Sequence, residues 1–138
     1  MTSLSGGKEA MKTAISTTHA PGAVGPYSQG IRASGYLFVS GQLGLDPATR
    51  QLVDGVQAQT HQALTNIRAV LEAQGKTLDH VVKTTVFLQH MSDFAAMNEV
   101  YATFFQQPFP ARSTIEVARL PLGGLVEIEA IAVENVTE

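Results

Sequence analysis

Arg112 and Glu127 are the residues of this chain best placed for chemistry. They open two apolar runs in Phe109 to Glu134, FPARSTIEVARLPLGGLVEIEAIAVE, which reads as two strands joined by a Pro/Gly turn. If these strands pair as neighbours, a cation and a carboxylate meet at one end of a sheet. Arg112 follows Phe109-Pro110-Ala111, so its surroundings are apolar and its backbone is constrained. A guanidinium in such a pocket is a planar fork for a small carboxylate, each charge-assisted bond contributing roughly 1.5–3 kcal/mol. A glutamate held partly out of water has a raised pKa, which lets it orient water or exchange a proton with it. The bland readings are as concrete. A strand-end arginine is ordinarily solvated, its ion pairs contributing ~0–1 kcal/mol, and edge strands carry glutamates that discourage aggregation. The residue pattern alone leaves both open.

Other chemistries find little support. The chain has no cysteine, hence no disulfide, thiolate metal site or Cys nucleophile. The histidines, at 19, 61, 80 and 90, show neither H-x-x-x-H nor H-x-H spacing, so no metal site is expected. No G-x-S-x-G occurs, and Ser40-Gly41 follows a strand without leading directly into a helix. The glycines form no phosphate loop. A net charge of −3 and nine scattered Lys/Arg residues oppose nucleic-acid binding. No apolar run approaches the ~18 residues of a membrane span. The N-terminus MTSLSGGKEAMK lacks the apolar segment of a signal peptide, so residues 1–11 read as a loose leader and 12–138 as a single, cytoplasmic domain.

The elements that must position Arg112 and Glu127 follow from periodicity. Lys12 to Thr17 alternates as a strand, and HAPGAVGPYSQG follows as a shaped loop carrying Tyr27. Ser34-Gly35 marks a hairpin between Ser28–Ala33 and Tyr36–Ser40, and Gly41 to Gly55 is a turn-rich connection. Asp54, with Gln57 at the third helical position, is expected to cap a helix. Val56, Ala63, Leu64, Ile67, Val70 and Leu71 form its buried stripe, and Gly75 ends it. His80 to Gln89 reads as a strand with Val82, Thr84, Val86 and Leu88 facing the helices. Ser92-Asp93 opens a second helix, with Phe94, Met97, Tyr101, Phe104 and Phe105 inward, and Pro108 and Pro110 end it.

The order βββ-α-β-α-ββ predicts an α+β fold, a mixed sheet with two helices on one face. Yet both sheet faces carry large apolar residues. In the last strand Val126, Ile128, Ala130 and Ala132 form one row and Glu127, Glu129, Ile131 and Val133 the other. Charged residues are only 15% of the chain, against about 25% in typical soluble domains. Both features point to a second face packed against other subunits.

Several blocks in order resemble the Rid family, the reactive intermediate deaminases, also called YjgF-like or L-PSP-like proteins. They are Gly25-Pro26-Tyr27-Ser28-Gln29-Gly30, Val39-Ser40-Gly41-Gln42, Lys83-Thr84-Thr85-Val86-Phe87-Leu88 and Asp93-Phe94 through Asn98 to Tyr101. The most specific is Pro110-Ala111-Arg112-Ser113, continued by Glu116 to Pro121 and Glu127-Ile128-Glu129-Ala130. The resemblance runs from about Lys12 to Glu134. It implies a chorismate-mutase-like homotrimer with a central β-barrel, helices outside and clefts between subunits. It also implies hydrolysis of enamines or imines such as 2-aminoacrylate to 2-keto acids and ammonia, with no cofactor.

Carried over residue by residue, Arg112 matches the carboxylate-binding arginine and Glu127 the glutamate that positions water. Tyr27, Ser40 and Gly41 match the pocket lining, and Phe87 and Asn98 wall or supporting positions. Thr114 stands where many members have cysteine, which leaves its backbone carbonyl but no thiol chemistry. Glu116 and Glu129 become structural charges. Two other readings are an endoribonuclease or translation inhibitor of the L-PSP type, and a non-catalytic trimer that binds 2-keto acids.

Overall fold

The computed structural model describes residues 11–135. Six strands build one sheet: β1 (Thr13–Ile15), β2 (Gly30–Ala33), β3 (Tyr36–Leu43), β4 (Val81–Leu88), β5 (Ala111–Glu116) and β6 (Val126–Val133). Two helices, α1 (Val56–Glu72) and α2 (Phe94–Tyr101), complete the fold. The spatial order is β1-β2-β3-β6-β4-β5. All neighbours are antiparallel except β4 and β5, which run parallel. The mixed α+β architecture is therefore as expected. The neighbouring of the last two strands is not, because β4 lies between β5 and β6.

One face of the sheet packs on α1 and α2. Val126, Ile128, Ala130 and Ala132 of β6 are all buried there, with Thr84, Val86 and Leu88 of β4. From α1 the stripe Ala63, Leu64, Ile67, Val70 and Leu71 meets them. Each fully buried aliphatic side chain contributes roughly 1.5–3 kcal/mol, so this layer is the main source of stability. At the start of β4 the expected facing is reversed. A register shift between Val81 and Lys83 turns Val81 inward and leaves Val82 exposed.

The hairpin between β2 and β3 uses Ser34 (φ 54) and Gly35 (φ 83), two left-handed residues that match the twist of the strands. Gly55, not Asp54, is the N-cap of α1, and no side chain caps it. Gln57 instead reaches across to α2, its Nε2 donating to Ala96 O and Glu99 Oε1, both at 3.0 Å. Gly75 (φ 72) ends the helix as expected, and Lys76 N–H returns to Leu71 O.

Three buried amides couple this scaffold to its loops. Asn66 Nδ2 donates to Leu45 O at 2.9 Å. Gln59 donates to Val53 O and accepts from Leu125 N–H at 2.8 Å, fixing the approach to β6. Gln29 accepts from Thr17 N–H at 2.7 Å and donates to Pro21 O at 2.8 Å. At Gly44 an added Cβ would lie 2.5 Å from Gln59 Cα, so backbone meets backbone with no flexible atom to yield. Gly44→Ala should therefore cost on the order of 3 kcal/mol, read as a lower urea midpoint at unchanged m-value.

Candidate active site

The sequence-predicted residues fall into two separate half-sites. The first is built on β5 and α2. Arg112 Nη1 donates to Asn98 Oδ1 at 2.7 Å, and the guanidinium lies 4.6 Å from the Tyr101 ring centroid and 5.5 Å from that of Phe94. Asn98 and Tyr101 are three residues apart on one helix, so both present to the same face. The Tyr101 hydroxyl is 2.7 Å from Thr84 Oγ1. Burial pushes the Tyr101 phenol up, while its bond to Thr84 and the charge of Arg112 act the other way. The ring therefore stays neutral as a platform for the cation, a contact worth ~0.5–2 kcal/mol. Phe109 and Pro110 close a cavity of about 390 Å³ around Arg112. Among the described residues the ion pair found is Arg32 with Glu134, which leaves the other Arg112 donors without a protein carboxylate.

Thr114 lies two residues further along β5, on the same face as Arg112. Its Oγ1 is buried without a hydrogen-bond partner. Val117 N–H donates to Leu88 O at 2.9 Å, and backbone groups alternate along a strand. With the β4–β5 register unbroken, the N–H and C=O of Arg112, Thr114 and Glu116 therefore point to the free edge of the sheet.

The second half-site is built on β6, the end of β3 and the glycine-rich loop. Glu127 stands on the sheet face away from the helices, opposite Phe87 in the β4 register. Burial, and secondarily the charge of Glu129, raise its carboxyl above the ordinary glutamate range. Gly41 lets the carboxyl sit there, since a Cβ at that position would be 2.8 Å from Glu127 Oε2. Gly41→Ala should displace the carboxyl and lower turnover by about tenfold, while Gly41→Ala combined with Glu127→Gln should cost little beyond Glu127→Gln alone. A double-mutant cycle on kcat checks that coupling.

Tyr27 is half exposed and lines a cavity of about 480 Å³ with Gly41, Leu122, Arg50 and Glu127. Ser40, expected in the pocket wall, does not line this cavity. Its Oγ donates to Ser28 O at 2.5 Å and its N–H to Gln29 O at 2.9 Å, so it ties the Tyr27 loop to β3.

The structure thus brings Arg112, Asn98 and Thr114 together on one side, and Tyr27, Gly41, Phe87 and Glu127 on the other. Arg112 pairs with Thr84, and Glu127 with Phe87. Three residues along β4 and two strand spacings across put their Cα atoms roughly 14 Å apart, on opposite faces. Residue type alone does not mark Tyr101 as a stacking platform, although its three-residue spacing from Asn98 places it on the same helix face. The clamp made by Gln29 left no local signal.

The family model described as Endoribonuclease L-PSP matches residues 17–134. The 2-iminobutanoate/2-iminopropanoate deaminase of Capra hircus is 53% identical over 122 residues, covering 88% of this chain and 89% of that protein. The crystal structure of RidA from the Antarctic bacterium Psychrobacter sp. superposes with a TM-score of 0.85 at 47% identity, covering 88% of this chain and 98% of that one. The structure of E. coli TdcF with bound serine gives a TM-score of 0.86 at 43% identity, over 89% and 99% of the respective chains. The chain belongs to the Rid family, the group whose model carries the description Endoribonuclease L-PSP.

Proposed function

We propose that this protein is a 2-iminobutanoate/2-iminopropanoate deaminase. The observation that carries this reading is the Arg112 half-site, a guanidinium fixed by Asn98 and Tyr101 with its remaining donors turned to a small cavity. The goat relative of that name and the serine bound in the TdcF structure support a small carboxylate ligand.

The reaction balances as R–C(=NH)–COO⁻ plus water giving R–C(=O)–COO⁻ plus ammonia. Enamine forms enter by tautomerising to the imine, whose carbon is electrophilic enough for water to attack without metal or covalent nucleophile. Arg112 holds the carboxylate. Glu127 and the outward carbonyl of Thr114 orient the water, and Glu127 passes a proton to the departing nitrogen. Tyr27, Gly41 and Phe87 wall the substrate in, and Ser40 holds the Tyr27 loop. Since the free imine also hydrolyses unaided, positioning supplies most of the acceleration.

In a 2-imino acid the carboxylate and imine carbon are bonded, about 1.5 Å apart. A single chain holds Arg112 and Glu127 far apart and on opposite faces, so one chain does not deliver both. The complete site forms when the open sheet faces of three chains close into a barrel and each cleft joins the Arg112 half of one chain to the Glu127 half of the next. Tyr36, Phe38 and Ile115, 45%, 42% and 44% exposed on the open face, support such burial.

The description of the family model favours a second reading, an endoribonuclease. A net charge of −3 opposes it. The test supplies 2-iminobutanoate from threonine with a dehydratase and follows 2-oxobutanoate release. The protein should accelerate release at catalytic loading. Binding of the keto acid without acceleration would leave only a ligand-binding trimer, and RNA cleavage lost with Arg112→Ala would favour the nuclease.

A further inference from the structure

Three non-glycine residues among those described adopt left-handed backbone: Ser34, Arg50 and Leu122. Ser34 is explained by its two-residue hairpin. Leu122 (φ 60) and Gly123 (φ 76) are the central pair of a turn closed by Gly124 N–H to Pro121 O, and Arg50 (φ 61) ends the hairpin loop between Asp46 and Gln51; both Arg50 and Leu122 line the cavity that holds Glu127.

The loop that presents Arg50 is pinned at every turn. Asp46 Oδ1 accepts from Ala48 N–H at 2.7 Å and Thr49 N–H at 3.2 Å. Arg50 N–H donates to Asp46 O at 2.7 Å, and Asp46 N–H to Gln51 O at 3.0 Å. Leu45 bridges Leu52, and buried Asn66 holds Leu45 O from α1. Arg50 Nη1 lies over Gly22, 3.7 Å from where a Cβ would stand. The side chain therefore borders both the 480 Å³ cavity of Glu127 and the larger 910 Å³ cavity beside it, the two meeting at Tyr27. Among the described residues no carboxylate pairs with Arg50, and Glu127 itself is not within ion-pair distance.

We infer that Arg50 is a specificity-determining residue that binds a second carboxylate on the substrate's side chain, so that imino acids with an acidic side chain are substrates. This inference rests on the deaminase reading. The imine carbon has three substituents. Its carboxylate belongs to Arg112 and its nitrogen leaves near Glu127, which assigns the third, the side chain, to the rest of the Glu127 cavity. Arg50 is the cation of that cavity, and its planar fork suits a carboxylate. The chemistry is unchanged: water adds at the imine carbon, the carbon–nitrogen bond breaks, and ammonia departs with the side-chain carboxylate intact.

The test compares two imines generated in situ by amino-acid oxidases, one from aspartate and one from 2-aminobutanoate, with semicarbazide as the competing trap. The quantity read is the ratio of kcat/KM for the two. Arg50→Gln should lower that ratio about tenfold, and Arg50→Lys should keep most of it. Product inhibition by oxaloacetate should weaken in parallel with the ratio. Arg50→Gly relieves the left-handed backbone, so its melting temperature should rise while its ratio falls as in Arg50→Gln. A ratio unchanged in Arg50→Gln, with the wild type active on the 2-aminobutanoate imine, overturns this inference alone. A wild type that accelerates neither imine overturns the deaminase reading and this inference with it.

Discussion

Replacing Arg112 with alanine should lower kcat/KM for 2-iminobutanoate by about 10²- to 10⁴-fold while the fold survives. The guanidinium is the group in the Arg112 half-site able to give a carboxylate two parallel bonds, and their loss accounts for that range at roughly 1.5–3 kcal/mol each. The structural cost is smaller. Arg112 is half-buried on an edge strand, and its partners Asn98 and Tyr101 keep other support, Tyr101 through Thr84. Circular dichroism and the melting temperature should therefore change little. Arg112→Lys separates charge from geometry. An ammonium keeps the attraction but loses the planar fork and the stacking on Tyr101, so it should recover only part of the activity. Unchanged turnover in Arg112→Ala would remove this arginine from the site.

Glu127→Gln should lower kcat by about 10- to 100-fold yet leave binding of the keto-acid product nearly intact. It should also make the protein more stable at neutral pH. The sign follows from the direction of the shift. Burial and Glu129 raise the folded-state pKa, so the fold favours the protonated carboxyl. That contribution is fully present below the ordinary glutamate pKa and is lost as pH rises through the raised value. At neutral pH the ionised carboxylate is a cost, and the neutral amide removes it. The stability gain of Glu127→Gln should accordingly grow as pH rises from about 4. In the wild type the acid limb of the kcat–pH profile should lie above the ordinary glutamate range, and it should vanish in the variant. Equal losses of turnover and keto-acid binding would instead give Glu127 a structural role.

Much of this was legible in the chain because a strand or helix with one buried face writes its period into the residues. The alternation of β6 put Val126, Ile128, Ala130 and Ala132 on one face and Glu127 on the other, and the structure shows that the first row is the buried one. The stripe of α1 was equally plain. Strand order was not, because the insertion of β4 between β5 and β6 depends on long-range pairing with no local mark. The register shift at Val81 escaped for a related reason. Either of two adjacent valines can fill the same inward space, and the bulge decides which one does. Asp54 and Gln57 had the spacing of a cap, but the bonds of Gln57 to α2 won. Within the site, residue types showed that Arg112 and Glu127 could do chemistry. Their separation onto opposite faces became visible only once the register of β4 with both neighbours was in hand.

Subunit mixing tests the split site most directly. Arg112→Ala and Glu127→Gln should each keep at most about a tenth of wild-type turnover in the imine-hydrolysis assay. Unfolded together in equal amounts and refolded, they should form mixed trimers in which roughly a quarter of the clefts pair an intact Arg112 half with an intact Glu127 half. Activity should return to about that fraction of the wild type, and a mixture of the two variants refolded separately should show only their residual turnover. Failure of the co-refolded mixture to recover activity, with mixed assemblies demonstrated by mass, would contradict a site shared between chains.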